Sequence, residues 1–225
     1  MTGAPWKHQA VNRQKSTINS QQSTVNSQRS TVNSQQSTVN SQQSTVNSQR
    51  FLFSIGIHPK KNYHVLMPIL KEFTEYKWII AGPDSRGYRA KIEQEAAKFG
   101  VADRIEFCGP VGDETKLGYY QNCTALLFPS LSEGFGLPVV EAMSLGKPVF
   151  LSDRTSLPEI GGSEAYYFKD FEPQTLTKTF ATGLKDFEND PEKPTRMKDW
   201  ASQFTWGKAA TQYLEFYQEL LTINH

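Results

Sequence analysis

Two spacings of apolar residues alternate along residues 51–225. Short runs at 51–56, 78–81, 105–108, 125–128, 148–151 and 165–168 are almost wholly apolar and end at Gly, Pro or a polar residue, which predicts strands buried on both faces. Between them apolar residues recur every three or four positions. Val65, Leu66, Ile69, Leu70 and Phe73 predict a first helix, which Pro68 makes either start near Leu66 or kink. Ile92, Ala96 and Phe99, closed by Gly100, predict a second, and Leu117 and Tyr120, with Asp113 as N-cap, a third. Pro138 suits a first helical position, so residues 139–145 read as a helix stopped by Gly146. A short helical turn follows at 158–160. Three more helical patterns finish the chain, on Leu176, Phe180, Leu184 and Phe187, on Met197, Ala201 and Phe204, and on Ala210, Tyr213, Leu214, Tyr217 and Leu221.

Strand and helix in alternation, joined by short glycine-rich turns, predict an α/β domain over residues 51–225 with one doubly wound parallel sheet of about six strands. In such sheets ligands sit beyond the carboxyl ends of the strands, at the point where strand order reverses. The first and fourth strands are expected to be neighbours there. The loop after the fourth strand holds Ser130, Ser132, Glu133, Gly134, Phe135 and Gly136 and runs into a helix N-terminus at Leu137. Open N–H groups of a first helical turn and the positive end of its dipole favour an anion, so Phe135, Gly136 and Leu137 are expected to act through their amides. Ser130 and Ser132 either donate to a phosphate or close the loop. Glu133 lies in the loop, and Glu141 lies a turn into the helix; a carboxylate in such a crevice accepts from vicinal hydroxyls. Lys60 and Lys61, after the first strand, either face the same crevice or are a solvated pair. A nucleoside diphosphate joined to a sugar satisfies both chemistries.

Residues 1–50 are different material. From Ser16 five seven-residue units of the type Ser-Thr-Val-Asn-Ser-Gln-Gln follow one another to Arg50. One apolar residue per seven cannot form a coiled-coil seam, and so polar a unit has no core to stack, so the tail is expected to be disordered. It carries five basic residues and no acidic one, which leaves 19 basic and 23 acidic residues on the domain, so the overall charge of +1 joins a basic tail to a mildly acidic domain. The tail's charge is sparse and lacks interleaved aromatics, so nucleic acid is not an expected partner. No signal peptide or transmembrane segment is expected, and Cys108 and Cys123 lack metal or redox spacing, which suits a cytoplasmic chain or one peripheral to the inner membrane face.

The run Ser-Glu-Gly-Phe-Gly-Leu-Pro-Val-Val-Glu-Ala-Met-Ser-Leu-Gly-Lys-Pro-Val, with Glu133 and Glu141 separated by seven residues, resembles the nucleotide-sugar site of the retaining glycosyltransferases called glycosyl transferases group 1, or family 4. The likeness runs from about Phe51 to Leu221. It implies the C-terminal, Rossmann-like donor-binding half of a two-domain GT-B fold, and hexosyl transfer from a nucleoside-diphosphate sugar with retention at the anomeric carbon. It implies Lys61 and Glu133 as catalytic residues, and donor-binding roles for Lys60, Val111, Ser132, Gly134, Phe135, Gly136, Leu137 and Glu141. Val111 falls where the family's loop holds the nucleobase. No cofactor and no metal is implied. The family's acceptor domain is absent, so the chain is expected to be inactive alone, with a glycan or lipid-linked glycan as acceptor only if that domain is supplied in trans. The alternatives are a non-catalytic nucleotide-sugar-binding module and a decayed gene product.

Overall fold

In the computed structural model, which describes residues 50–223, six parallel strands form one sheet in the order β3-β2-β1-β4-β5-β6. The strands are β1 (Phe51–Ile57), β2 (Lys77–Asp84), β3 (Ile105–Gly109), β4 (Ala125–Phe128), β5 (Val149–Ser152) and β6 (Tyr166–Phe168). The α-helices are α1 (Met67–Glu72), α2 (Tyr88–Phe99), α3 (Asp113–Asn122), α4 (Leu137–Ser144), α5 (Leu157–Gly161), α6 (Pro173–Asn189), α7 (Lys193–Ala201) and α8 (Trp206–Ile223). Apart from Arg50, the repeat tail lies outside the described residues.

All four residues of β4 and of β5 are buried, which is why β4 reads as an unbroken apolar run and β5 as one up to its last residue, Ser152. Alternate side chains enter two separate cores. Leu52, Trp78, Ile80, Ala125, Leu127 and Phe150 pack with α1, α2 and α6 on one face. Phe51, Phe53, Ile79, Leu126, Phe128, Val149 and Leu151 pack with residues of α3, α4, α5 and α7 on the other. Complete burial of each large side chain is worth about 1.5–3 kcal/mol. One buried polar residue ties the central strands together: Ser54 Oγ of β1 donates to Leu127 O of β4 (2.7 Å) and accepts from Trp78 Nε1 of β2 (3.0 Å).

Beyond shifts of one or two residues at element ends, three sequence-based assignments change for a physical reason. Pro68 does not kink a helix: α1 begins at Met67, so the missing N–H falls in the first turn where it needs no partner, and Tyr63–Leu66 form a 3-10 turn ahead of it. Asp113 is not the N-cap of α3. That position is Gly112, and Asp113 is already helical, its carboxylate 3.2 Å from Lys116 Nζ. β2 runs on through Gly82 and Pro83, because beyond Ala81 its pairing is with β1 alone and a residue without N–H is tolerated there. Along α8, Tyr213, Leu214, Tyr217 and Leu221, which share a helical face by spacing, are all exposed.

Candidate functional site

The chain reverses direction across the sheet between β1 and β4, and three loops meet at the carboxyl edge beside that point. The first follows β1. Gly56 takes φ +83° and a Cβ there would lie 3.3 Å from Lys61 Cε, so its lack of a side chain leaves room for the lysine to fold back across the strand end. Pro59–Lys61 form a 3-10 turn that His58 caps through Nδ1, which accepts from Lys60 N–H at 3.1 Å. Lys61 Nζ then sits 4.1 Å from the centre of the Phe128 ring at the end of β4 and 2.8 Å from Glu133 Oε1.

The second loop, residues 129–136, joins β4 to α4. Leu131 N–H donates to Lys60 O at 2.8 Å, which locks it to the first loop. The Lys61 and Glu133 side chains are 15% and 16% exposed, so their pair is screened far less than a surface ion pair. Gly136, the residue before α4, has φ +108°, and a Cβ there would come within 3.1 Å of Leu157 Cδ2. Among the described residues the N–H groups of Gly134, Phe135, Gly136 and Leu137 have no acceptor; Gly134, Phe135 and Leu137 are exposed and Gly136 is buried, and these donors and the positive end of α4 follow directly on Glu133, the partner of Lys61. The Phe135 ring meets Phe204 edge-on at 5.8 Å, and Phe204 in turn meets Trp200 of α7.

The third loop, between β5 and α5, supports the second. Thr155 Oγ1 accepts from Glu133 N–H (3.0 Å), and Ser156 Oγ lies 3.2 Å from Glu133 O and 2.9 Å from Phe135 O. Ser152 Oγ donates to Ser130 O, while Ser130 Oγ is buried with no partner. Of the two serines considered from the sequence, Ser130 is therefore enclosed and Ser132 exposed.

Glu141 is held from another direction. Tyr120 OH of α3 donates to Glu141 Oε2 (2.7 Å), and Lys116 Nζ of the same helix lies 3.0 Å from Oε1. Burial, and after it the bond to Glu141, pushes the Tyr120 phenol well above its usual range; the bond to Glu141 raises Lys116. Lys60 contributes to the edge through its main chain, and its side chain is exposed. Val111 packs half-buried against the core layer of α3 and α4. The structure thus brings Lys61, Glu133 and the amides of 134–137 together and gives Glu141 a separate pair of partners. Sequence reasoning missed Thr155, Ser156, Lys116 and Tyr120 as site residues. Thr155 and Ser156 directly follow a strand on the ligand-bearing edge, which was a usable signal; Lys116 and Tyr120 carried only an i, i+4 spacing. A cavity of about 470 Å³ lined by Pro68, Lys71, Glu72, Phe99, Pro173, Gln174 and Thr177 shares no residue with these loops.

Residues 35–204 match the family described as glycosyl transferases group 1, a range that begins within the repeats and stops before α8. A serotype-specific mannosyltransferase, WbdA of Escherichia coli, is 29% identical over 180 residues, which are 76% of this chain and 22% of that protein. A D-inositol 3-phosphate glycosyltransferase of Streptomyces scabiei is 30% identical over 183 residues, 74% of this chain and 40% of that protein. Among solved structures, the HepE protein of Anabaena in complex with UDP and glucose superposes with a TM-score of 0.68 at 24% identity over 79% of this chain and 50% of its own. Sucrose-phosphate synthase of Thermosynechococcus elongatus does so with a TM-score of 0.67 at 20% identity over 79% and 47%. These likenesses match the fold to GT-B glycosyltransferase structures. The chain spans less than half the length of the two relatives and about half the length of the solved chains.

Proposed function

The chain belongs to the glycosyl transferases group 1 family, and on that premise we propose that the carboxyl edge of β1, β4 and β5 binds the nucleoside-diphosphate sugar donor of a retaining hexosyl transfer. One observation carries the reading: the Lys61–Glu133 pair at 2.8 Å is followed directly by four N–H groups, of residues 134–137, that have no acceptor where the loop enters α4. Lys61, with Lys60 nearby, neutralises the charge that develops on the diphosphate as the glycosidic C–O bond breaks, and the amides of residues 134–137 hold phosphate and sugar oxygens. Glu133 accepts from hydroxyls of the donor sugar. Glu141, held by Lys116 and Tyr120, accepts from the ribose, Val111 lies along the base, and Ser132 donates to phosphate. No protein nucleophile takes part in this scheme.

This chain corresponds to about half of the solved relatives, so the proposal includes that it transfers little or no sugar unless an acceptor-binding domain is supplied in trans. A non-catalytic nucleotide-sugar-binding module makes the same binding prediction and differs only in that no added domain restores transfer. Among the described residues no helix is long and apolar enough to cross a membrane.

Saturation-transfer NMR and calorimetry with UDP-, GDP- and ADP-sugars test the reading. One of the three nucleotides is expected to bind, with sugar protons receiving saturation; absence of binding by all three sinks it. Product configuration at the anomeric carbon, measured after an acceptor domain is added, tests retention.

A further inference from the structure

Two neighbouring residues in the loop between β5 and α5 each break a local rule. Thr155 is β-branched yet holds φ +50°, a left-handed conformation that such residues rarely take. Ser156 stands at the N-cap of α5, where a serine hydroxyl ordinarily accepts from its own helix, yet makes no capping bond. Both hydroxyls instead reach the β4–α4 loop. Thr155 Oγ1 accepts from the Glu133 N–H at 3.0 Å, and Ser156 Oγ lies 2.9 Å from Phe135 O and 3.2 Å from Glu133 O. The loop is thus held at both the N–H and the C=O of Glu133, while its side chain is engaged by Lys61 of the β1 turn. A strained conformation persists where the surroundings over-determine it, and such positions cluster at functional sites.

We propose that Thr155 and Ser156 are positioning residues that clasp the main chain of Glu133, so that its carboxylate is held for the donor sugar rather than for the diphosphate. The inference rests on the donor-binding reading above and adds the residues that set sugar selectivity. Glu133 is the only member of the loop whose own amide is taken by the clasp, whereas the amides of Gly134 to Leu137 are left for phosphate. Weakening the clasp therefore lowers the affinity for a nucleotide sugar relative to its nucleoside diphosphate.

The test uses the full chain and compares Thr155→Val, which keeps shape and removes the acceptor, with Thr155→Ser, which keeps it. Thr155→Gly accepts the positive φ without steric cost and provides a folded variant lacking the hydroxyl. Calorimetry pairs UDP with UDP-glucose, GDP with GDP-mannose and ADP with ADP-glucose; the pair that binds wild type is used for the variants. The valine and glycine variants are expected to bind the nucleotide sugar about three- to tenfold more weakly, the scale of one hydrogen bond, with nucleoside diphosphate binding unchanged and selectivity restored by serine. Amide exchange of Glu133 N–H, followed by NMR in the ligand-free protein, is expected to speed up in Thr155→Val. Unchanged selectivity, or an equal loss of both ligands, overturns the clasp and leaves the donor reading standing. Failure of the wild type to bind any pair overturns the donor reading itself, while the exchange rate still reports whether the clasp exists.

Discussion

Glu133 and Glu141 are eight positions apart and belong to one strand-loop-helix unit, yet they are held by opposite means. Glu133 sits on a loop whose main chain is fixed by hydroxyls of another loop, and its carboxylate meets a single lysine from the β1 turn. Glu141 sits on α4 and is fixed through its side chain by Tyr120 and Lys116, one turn apart on α3. The loop carboxylate is the more enclosed, at 16% exposure against 37%. A loop carboxylate can be aimed only by fixing its backbone, whereas a helix already fixes the backbone and leaves only the rotamer to be chosen.

This contrast predicts different losses from equivalent changes. The largest is expected from Lys61→Ala, which removes the cation and leaves Glu133 facing the diphosphate unpaired: about 2–5 kcal/mol of affinity for nucleoside diphosphate and nucleotide sugar alike, by calorimetry. Next come the two carboxamide variants. Glu133→Gln releases Lys61, so diphosphate affinity is expected to hold or rise while nucleotide-sugar affinity falls; Glu141→Gln is expected to weaken both by the same factor, each loss being about 1.5–3 kcal/mol for a bond to a charged group. Equal behaviour of the two variants would break the comparison.

Gly136→Ala comes third. It places a Cβ 3.1 Å from Leu157 Cδ2 at φ +108°, and is expected to lower the unfolding free energy by about 1–3 kcal/mol, read from a urea midpoint. Tyr120→Phe leaves the Glu141 Oε2 bond unmade at the α3–α4 contact and is expected to cost about 1 kcal/mol.

The smallest effect is a slope with pH. The unfolded chain releases the Tyr120 proton near its ordinary pKa of 10.0, while the folded protein keeps it to higher pH, so unfolding releases a proton and stability falls as pH rises past 10.0. Lys116, raised from 10.5 by its bond to Glu141, acts in the same sense: its contribution is complete below 10.5 and is lost above. Urea midpoints between about pH 9 and pH 11 are expected to decline less steeply in Tyr120→Phe than in wild type, and Thr155→Val is expected to leave the slope unchanged, because its clasp is built from hydroxyl and amide.

Much of this was legible in advance. The six strands followed from apolar runs separated by helical spacing, because a strand buried on both faces has no freedom to be polar, and their parallel pairing and the neighbouring of β1 and β4 followed from the doubly wound pattern that this alternation implies. Lys61 and Glu133 were legible as residues of loops on one edge, though their 2.8 Å pairing was not. Asp113 misled because an N-cap and a first-turn aspartate have the same sequence pattern, and Gly112 filled the cap without a side chain. The helix of α8 was legible but its exposed face was not, because spacing reports which residues share a face, never what covers it.

By itself, then, the sequence determined the alternation of elements, the edge on which chemistry collects and the glycines that let α4 begin beside a loop. Tertiary structure alone decided the partners: Thr155 and Ser156 grip Glu133 from 22 and 23 residues away, and Tyr120 reaches Glu141 across 21. Local patterns record the periodicity of burial, which each element carries within itself. Hydrogen bonds between loops depend on how crossovers fold back on the sheet, and no local spacing encodes that.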